Sequence, residues 1–109
     1  VAVALTGYGM DERPIVDQIL SQAELPILDL FGKTSLRMFA ALAANSEMYV
    51  GCDTGPMHLA AAVGVPVVAL FGPTDPARWH PWTDGPYRVV RLGLPCSPCG
   101  GITCAYDQE

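Results

Sequence analysis

Apolar and polar positions come in alternating blocks along this chain. Residues 1–6 form a continuous apolar run closed by Gly7, the pattern of a strand buried on both faces of a parallel sheet. Asp11 is placed to cap a following helix, with Glu12, Pro14 and Asp17 in its early turns and Ile15, Val16, Ile19 and Leu20 as its apolar stripe. Pro26 lies beyond its end. Residues 27–30 predict a second strand, Gly32-Lys33-Thr34-Ser35 a turn, and Leu36, Phe39, Ala40 and Ala43 the stripe of a second helix stopped at Asn45. Residues 48–50 predict a third strand, followed by the turn Asp53-Thr54-Gly55-Pro56 and an Ala-rich helix over 58–62 that ends at Gly64, with Pro66 beyond. A fourth strand falls at 67–71. After Gly72-Pro73-Thr74-Asp75-Pro76 the pattern becomes irregular, with one further short strand at 87–92.

Strands and helices that alternate through short connections predict an α/β fold: a Rossmann-like parallel sheet with helices on both faces. Ligands in such folds sit beyond the carboxyl ends of the strands, where each of the polar, Gly-rich turns lies. A chain of 109 residues, half of them hydrophobic, builds one core, so it is one domain or a piece of one. The apolar run at Val1 has no cap, turn or initiator Met ahead of it, which predicts a further segment upstream. The formal net charge of −5 offers no field for a nucleic-acid backbone. No apolar run reaches the roughly 20 residues that span a bilayer and no signal peptide is visible, so the expected location is the cytoplasm.

The turn after the third strand is the most informative. It sets Gly55 and Pro56 at the start of a helix directly after a buried strand, with Met57 and His58 in the first turn. A helix N-terminus carries roughly half a positive charge and unpaired N–H donors, expected here on Met57 and His58, and Gly55 allows a phosphate to approach closely. The alternative is that Asp53 and Thr54 only cap the helix. Gly72-Pro73-Thr74 ends the neighbouring strand, where its backbone and the Thr74 hydroxyl can line the same cleft, or form an ordinary Pro turn.

Other segments compete for attention. Gly32-Lys33-Thr34 imitates the end of a P-loop, but the required earlier glycine is replaced by Ile27. Gly7-Tyr8-Gly9 followed by Asp29 imitates a dinucleotide fingerprint, with Glu12 where the third glycine belongs, and gives an oxidoreductase domain as the alternative reading. Cys96, Cys99 and Cys104 have the spacing of metal ligands; a fourth ligand would have to be His80, Cys52 or a residue beyond Glu109. A metal-stabilised interaction module is thus a third reading, beside plain reduced thiols. Arg78-Trp79-His80-Pro81-Trp82 reads either as an aromatic wall for a sugar or as packing under a loop.

Two stretches, Cys52-Asp53-Thr54-Gly55-Pro56-Met57-His58-Leu59-Ala60-Ala61-Ala62 and Val65-Pro66-Val67-Val68-Ala69-Leu70-Phe71-Gly72-Pro73-Thr74-Asp75-Pro76, resemble the ADP-heptose:lipopolysaccharide heptosyltransferases, glycosyltransferase family 9. The turn at Gly32 and the Cys96-Ser97-Pro98-Cys99 element also look like that family, although Cys52 stands where many members have Asn or Ser. The resemblance implies the C-terminal, nucleotide-sugar-binding half of a GT-B enzyme over residues 1–109, without its N-terminal acceptor domain. It implies an ADP-sugar donor, a lipopolysaccharide core acceptor held by the other domain, no cofactor, and peripheral contact with the cytoplasmic face of the inner membrane. His58 and Asp53 would be the catalytic side chains. Gly7, Gly32, Lys33, Thr34, Asp53, Thr54, Gly55, Pro56, Met57, His58, Gly72 and Thr74 would line the donor site. No Asp-x-Asp metal motif occurs in the sequence, in keeping with an inverting, metal-independent transfer.

Overall fold

The structure is a computed structural model that describes residues 1–104. It divides into two compact units, residues 1–39 and residues 40–109.

In the first unit β1 (Val3–Leu5) pairs in parallel with β2 (Ile27–Asp29) through α1 (Arg13–Gln22). Asp11 does not cap α1 as expected. Residues 10–12 form a 3-10 turn and the N-cap position falls to Glu12, with Pro14 in the first turn, where its missing N–H costs nothing. Of the predicted stripe only Val16 is buried, while Ile15 and Ile19 are exposed. Arg13 lies 2.9 Å from Asp29 and 2.7 Å from Asp17, which ties the start of α1 to the end of β2.

Helix α2 (Leu36–Ala44) is capped by Ser35, whose hydroxyl accepts from the Met38 N–H at 3.2 Å. In the second unit β3 (Tyr49–Cys52), β4 (Val67–Leu70) and β5 (Tyr87–Val90) form a parallel sheet in that order. Helix α3 (Gly55–Ala62) connects β3 to β4, and the one-turn helix α4 (Pro76–Trp79) precedes β5. The register sets Tyr49, Val67 and Tyr87 side by side, then Gly51, Ala69 and Val89 two residues on. These residues share one face, because side chains alternate along a strand. Helix α3 packs on β3 and β4, and Met57, Ala60, Val67 and Ala69 are buried to 1% exposure or less. Small alanines let helix and sheet approach closely. Burying Met57 and Val67 supplies about 1.5–3 kcal/mol each.

Parallel pairing and the α/β class agree with the sequence pattern, and three details differ. β1, expected to be buried on both faces, and β3, expected to be buried, are part-exposed: Val3 is 40% and Val50 55% accessible. β1 and β2 pair as a sheet of two, separate from the sheet of three. The segment expected to be irregular after Pro76 opens with the one-turn helix α4, which the Asp75 carboxylate starts by accepting from the Ala77 N–H at 2.9 Å, with Pro76 at its head. Among the described residues no helix is long and apolar enough to cross a membrane.

Candidate functional site

The second unit gathers Asp53, Thr74 and His58 at the carboxyl ends of β3 and β4. Past the end of β3 the ladder gains one more bond, from the Asp53 N–H to the Leu70 carbonyl at 3.1 Å, which sets Asp53 beside the loop leaving β4. That loop brings the Thr74 hydroxyl within 2.6 Å of Asp53 Oδ2, to which it donates. The distance is typical of a hydrogen bond to a charged acceptor. Asp53 Oδ1 lies 3.8 Å from His58 Nε2, too long for a hydrogen bond and an ion pair only when the imidazole is protonated. His58 is 41% exposed and meets the edge of Trp79, with ring centres 6.5 Å apart. Arg78 lies over the Trp79 ring at 5.1 Å.

Helix α3 begins at Gly55, one residue earlier than the position of Pro56 predicts, and this changes which amides are open. Both the Met57 N–H, at 3.1 Å, and the His58 N–H, at 3.4 Å, donate to the Thr54 carbonyl, so neither is the free donor expected from sequence. Met57 is fully buried and belongs to the core. Since Pro56 has no N–H, the first-turn amide left without an intrahelical acceptor is that of Gly55. A Cβ on Gly55 would meet no atom within 4 Å, so the space before this amide is open. Thr54 is the N-cap residue, yet its side chain makes no capping bond to α3. The Asp53 carboxylate is bonded to Thr74 instead. Neither side chain caps α3, although Thr54 holds the N-cap position and His58 is exposed, as the capping alternative with a surface His58 expects.

Gly72 and Thr74 are held from the C-terminal side by a contact that the sequence does not announce. Ser97 Oγ donates to the Gly72 carbonyl at 3.1 Å, and the Cys99 and Gly100 N–H groups donate to the Pro73 carbonyl at 3.0 and 2.8 Å. The Cys-Ser-Pro-Cys element is thus a brace for the loop that carries Thr74. Cys96, Cys99 and Cys104 are all exposed, and among the described residues no three His, Cys, Asp or Glu side chains are placed to hold a metal ion.

Gly7, Gly32, Lys33 and Thr34 belong to the first unit. A Cβ on Gly7 would stand 2.7 Å from the Phe31 ring, so this glycine is required by close packing. Gly32 has a φ of +71° in the turn closed by the Lys33 N–H on the Leu30 carbonyl, where a side chain would be strained. Lys33 Nζ folds back onto the Asp29 carbonyl at 3.0 Å, and Thr34 is half-buried ahead of α2. Asp29, the ribose ligand in the oxidoreductase reading, accepts from the Phe31 N–H at 3.0 Å and pairs with Arg13. The Arg13 hydrogen bond and then the Phe31 amide hold its carboxyl below the usual aspartate range. Both of its oxygens are engaged within the fold.

The aromatic segment divides: Trp79 faces His58, His80 stacks on Tyr87 with ring centres 5.7 Å apart, Pro81 is fully buried and Trp82 is exposed. A groove at the far end of α3, lined by Ala61, Gly64, Trp82 and Gly85, holds none of the residues expected to line the donor site.

The family model of glycosyltransferase family 9 (heptosyltransferase) matches residues 1–109. Lipooligosaccharide heptosyltransferase 2 of Campylobacter jejuni is 32% identical over 105 residues, which cover 94% of this chain and 33% of that protein. Lipopolysaccharide heptosyltransferase 3 of Escherichia coli K12 is 43% identical over 84 residues, 75% of this chain and 24% of that one. The solved structure of E. coli ADP-heptose LPS heptosyltransferase II superposes with a TM-score of 0.73 at 33% identity, over 84% of this chain and 28% of the other. The chain spans about a quarter to a third of the length of these relatives. The match over its whole length and the shared fold place it: the chain belongs to glycosyltransferase family 9, the heptosyltransferases.

Proposed function

We propose that this chain is the C-terminal, nucleotide-sugar-binding part of a GT-B heptosyltransferase, and that the turn from Asp53 to His58 receives the diphosphate of ADP-heptose. The observation that carries the reading is the state of the cap: Asp53 and Thr54 stand at the head of α3 and neither side chain is spent on its amides. The positive end of α3 and the Gly55 amide, with the Thr54 hydroxyl and the His58 ring in the same turn, suit a diphosphate. Asp53, braced by Thr74, stands 3.8 Å from His58 Nε2 and pairs with the ring when it is protonated. Gly72 shapes the neighbouring loop, and Trp79 offers a ring beside the sugar.

In the proposed reaction an acceptor hydroxyl of the lipopolysaccharide inner core attacks the anomeric carbon of heptose from the side opposite the diphosphate. The new C–O bond forms as the bond to the β-phosphate breaks, which inverts the centre. The hydroxyl proton passes to a base outside these 109 residues, in an N-terminal acceptor domain. Charge accumulates on the departing ADP, where the helix end and His58 stabilise it in the role that a metal ion fills in other transferases. The same reading puts the enzyme in the cytoplasm, in peripheral contact with the inner membrane that carries the acceptor.

His58→Ala in the enzyme that carries this chain tests the assignment. Its exposed ring has little packing to lose, so kcat is expected to fall about 10-fold or more, as for one lost charge-stabilising donor, with the melting temperature unchanged. Wild-type turnover at an unchanged melting temperature would remove His58 from the mechanism.

A further inference from the structure

The loop from Gly72 to Thr74 is pinned at each of its residues by a different group. Ser97 Oγ donates to the Gly72 carbonyl at 3.1 Å, the Cys99 and Gly100 N–H groups donate to the Pro73 carbonyl at 3.0 and 2.8 Å, and the Thr74 hydroxyl donates to Asp53 Oδ2 at 2.6 Å. The two carbonyls face the C-terminal segment, and the hydroxyl faces the end of β3. Phe71 fixes the entry to the loop, buried and with its N–H on the Val90 carbonyl at 2.9 Å, and Asp75 fixes the exit by starting α4. Pro73 has no N–H with which to hold the loop from within, so what its carbonyls meet decides where Thr74 stands. The peptide from Pro73 to Thr74 is trans, which points its N–H opposite to its carbonyl. With that carbonyl on Cys99 and Gly100, the Thr74 N–H is turned away from the C-terminal segment and meets no hydrogen-bond acceptor among the described residues. Asp53 brings a negative charge to within two residues of Gly55, and the short bond from Thr74 draws part of that charge onto Oδ2 and away from an anion at the helix head.

We infer that Ser97 is a positioning residue of the donor site: beside the Cys99 and Gly100 amides it holds the Gly72-Pro73 carbonyls, so that Thr74 keeps its hydroxyl on Asp53. The inference rests on the proposed diphosphate site and adds the residue that sets its second loop. A loop released by Ser97 lets Thr74 drift from Asp53, and the unpaired Oδ2 then repels the diphosphate.

A double-mutant cycle in the protein that carries this chain tests it, with ADP titrated calorimetrically at a temperature where every variant is folded and the KM values of ADP-heptose and acceptor measured separately. Ser97→Ala removes the hydroxyl and leaves both amides on Pro73. The Kd of ADP and the KM of the donor are expected to rise about 2- to 12-fold, the range for one hydrogen bond, while acceptor KM stays as in wild type. Ser97→Thr keeps the hydroxyl and should restore wild-type values. Thr74→Val should also weaken ADP, and adding Ser97→Ala to it should cost nothing further, because the serine acts through that threonine. Wild-type ADP affinity in Ser97→Ala, an equal rise in donor and acceptor KM, or the same loss with and without Thr74 would overturn the role of Ser97 and leave the diphosphate site standing. If Thr74→Val and Gly55→Val both bind ADP as wild type does, the diphosphate lies elsewhere and the inference falls with the site.

Discussion

The hydrogen bond from Thr74 to Asp53 is the joint between the two loops of the candidate site, and removing it gives a calculable result. Thr74→Val replaces the hydroxyl by a methyl group of similar size, so no cavity opens and the loss is confined to one bond. The acceptor is a carboxylate whose side chain is 11% exposed, with 2.6 Å between the oxygens. Water has little access to replace the donor. A hydrogen bond to a charged group is worth about 1.5–3 kcal/mol, and the mutant leaves Asp53 Oδ2 without its partner. The unfolding free energy should fall by that amount in urea titrations followed by tryptophan fluorescence, a suitable signal because both tryptophans of the chain, Trp79 and Trp82, lie in the same unit. Thr74→Ser keeps the hydroxyl and should recover most of the loss. A Thr74→Val protein within 0.5 kcal/mol of wild type at an unchanged urea slope would show that the bond does not hold the loops together.

Two further outcomes follow from the packing and the charges. Met57→Ala empties a fully buried position between α3 and the sheet and should cost about 2–5 kcal/mol in unfolding free energy, with ADP binding lost in proportion to the unfolded fraction; a cost under about 1 kcal/mol would mean that the helix is not seated as described. Asp29 has a carboxyl held below its ordinary value of 3.8, so the stability it contributes is complete above that pH and is lost as pH falls through the lower folded value. Asp29→Asn should therefore be less stable than wild type at neutral pH, with the difference closing as the pH drops below about 4; a difference independent of pH would assign its origin to something other than the Arg13 pair.

The order of strands and helices is legible in the sequence because apolar blocks and Gly or Pro punctuation are local signals. The exposure of the strands is not, since Leu28 and Val50 look like core residues and only the layers around them decide whether they are covered. Asp53, Thr54, Gly55 and His58 stood out as a cluster through their position after a strand. Which groups in it were free did not: Met57 and His58 lost their expected open amides when the helix began at Gly55. Helix α4 had a readable signal in Asp75 followed by Pro76, a cap residue ahead of a first-turn proline. The Tyr49 ring laid over Gly51 was announced only by a glycine inside a strand, a place where glycine often marks a close approach. The brace that Ser97, Cys99 and Gly100 place on the Gly72-Pro73-Thr74 loop spans some 25 residues and leaves no local trace.

The central claim is that a diphosphate rests against the head of α3, and ADP titration of Gly55→Val beside wild type tests it most directly. The free protein accepts the substitution: a Cβ at this position touches nothing within 4 Å, Gly55 does not have a positive φ, and valine is a better helix former than glycine. Folding should therefore be unchanged or slightly improved, while the branched side chain fills the space that the phosphate needs. The prediction is that wild type binds ADP and that Gly55→Val binds it about 10-fold or more weakly at an equal or higher melting temperature, the helix end alone being worth up to about 2 kcal/mol. A folded Gly55→Val protein with wild-type ADP affinity would contradict the account and move the nucleotide site away from Thr54, Gly55 and His58.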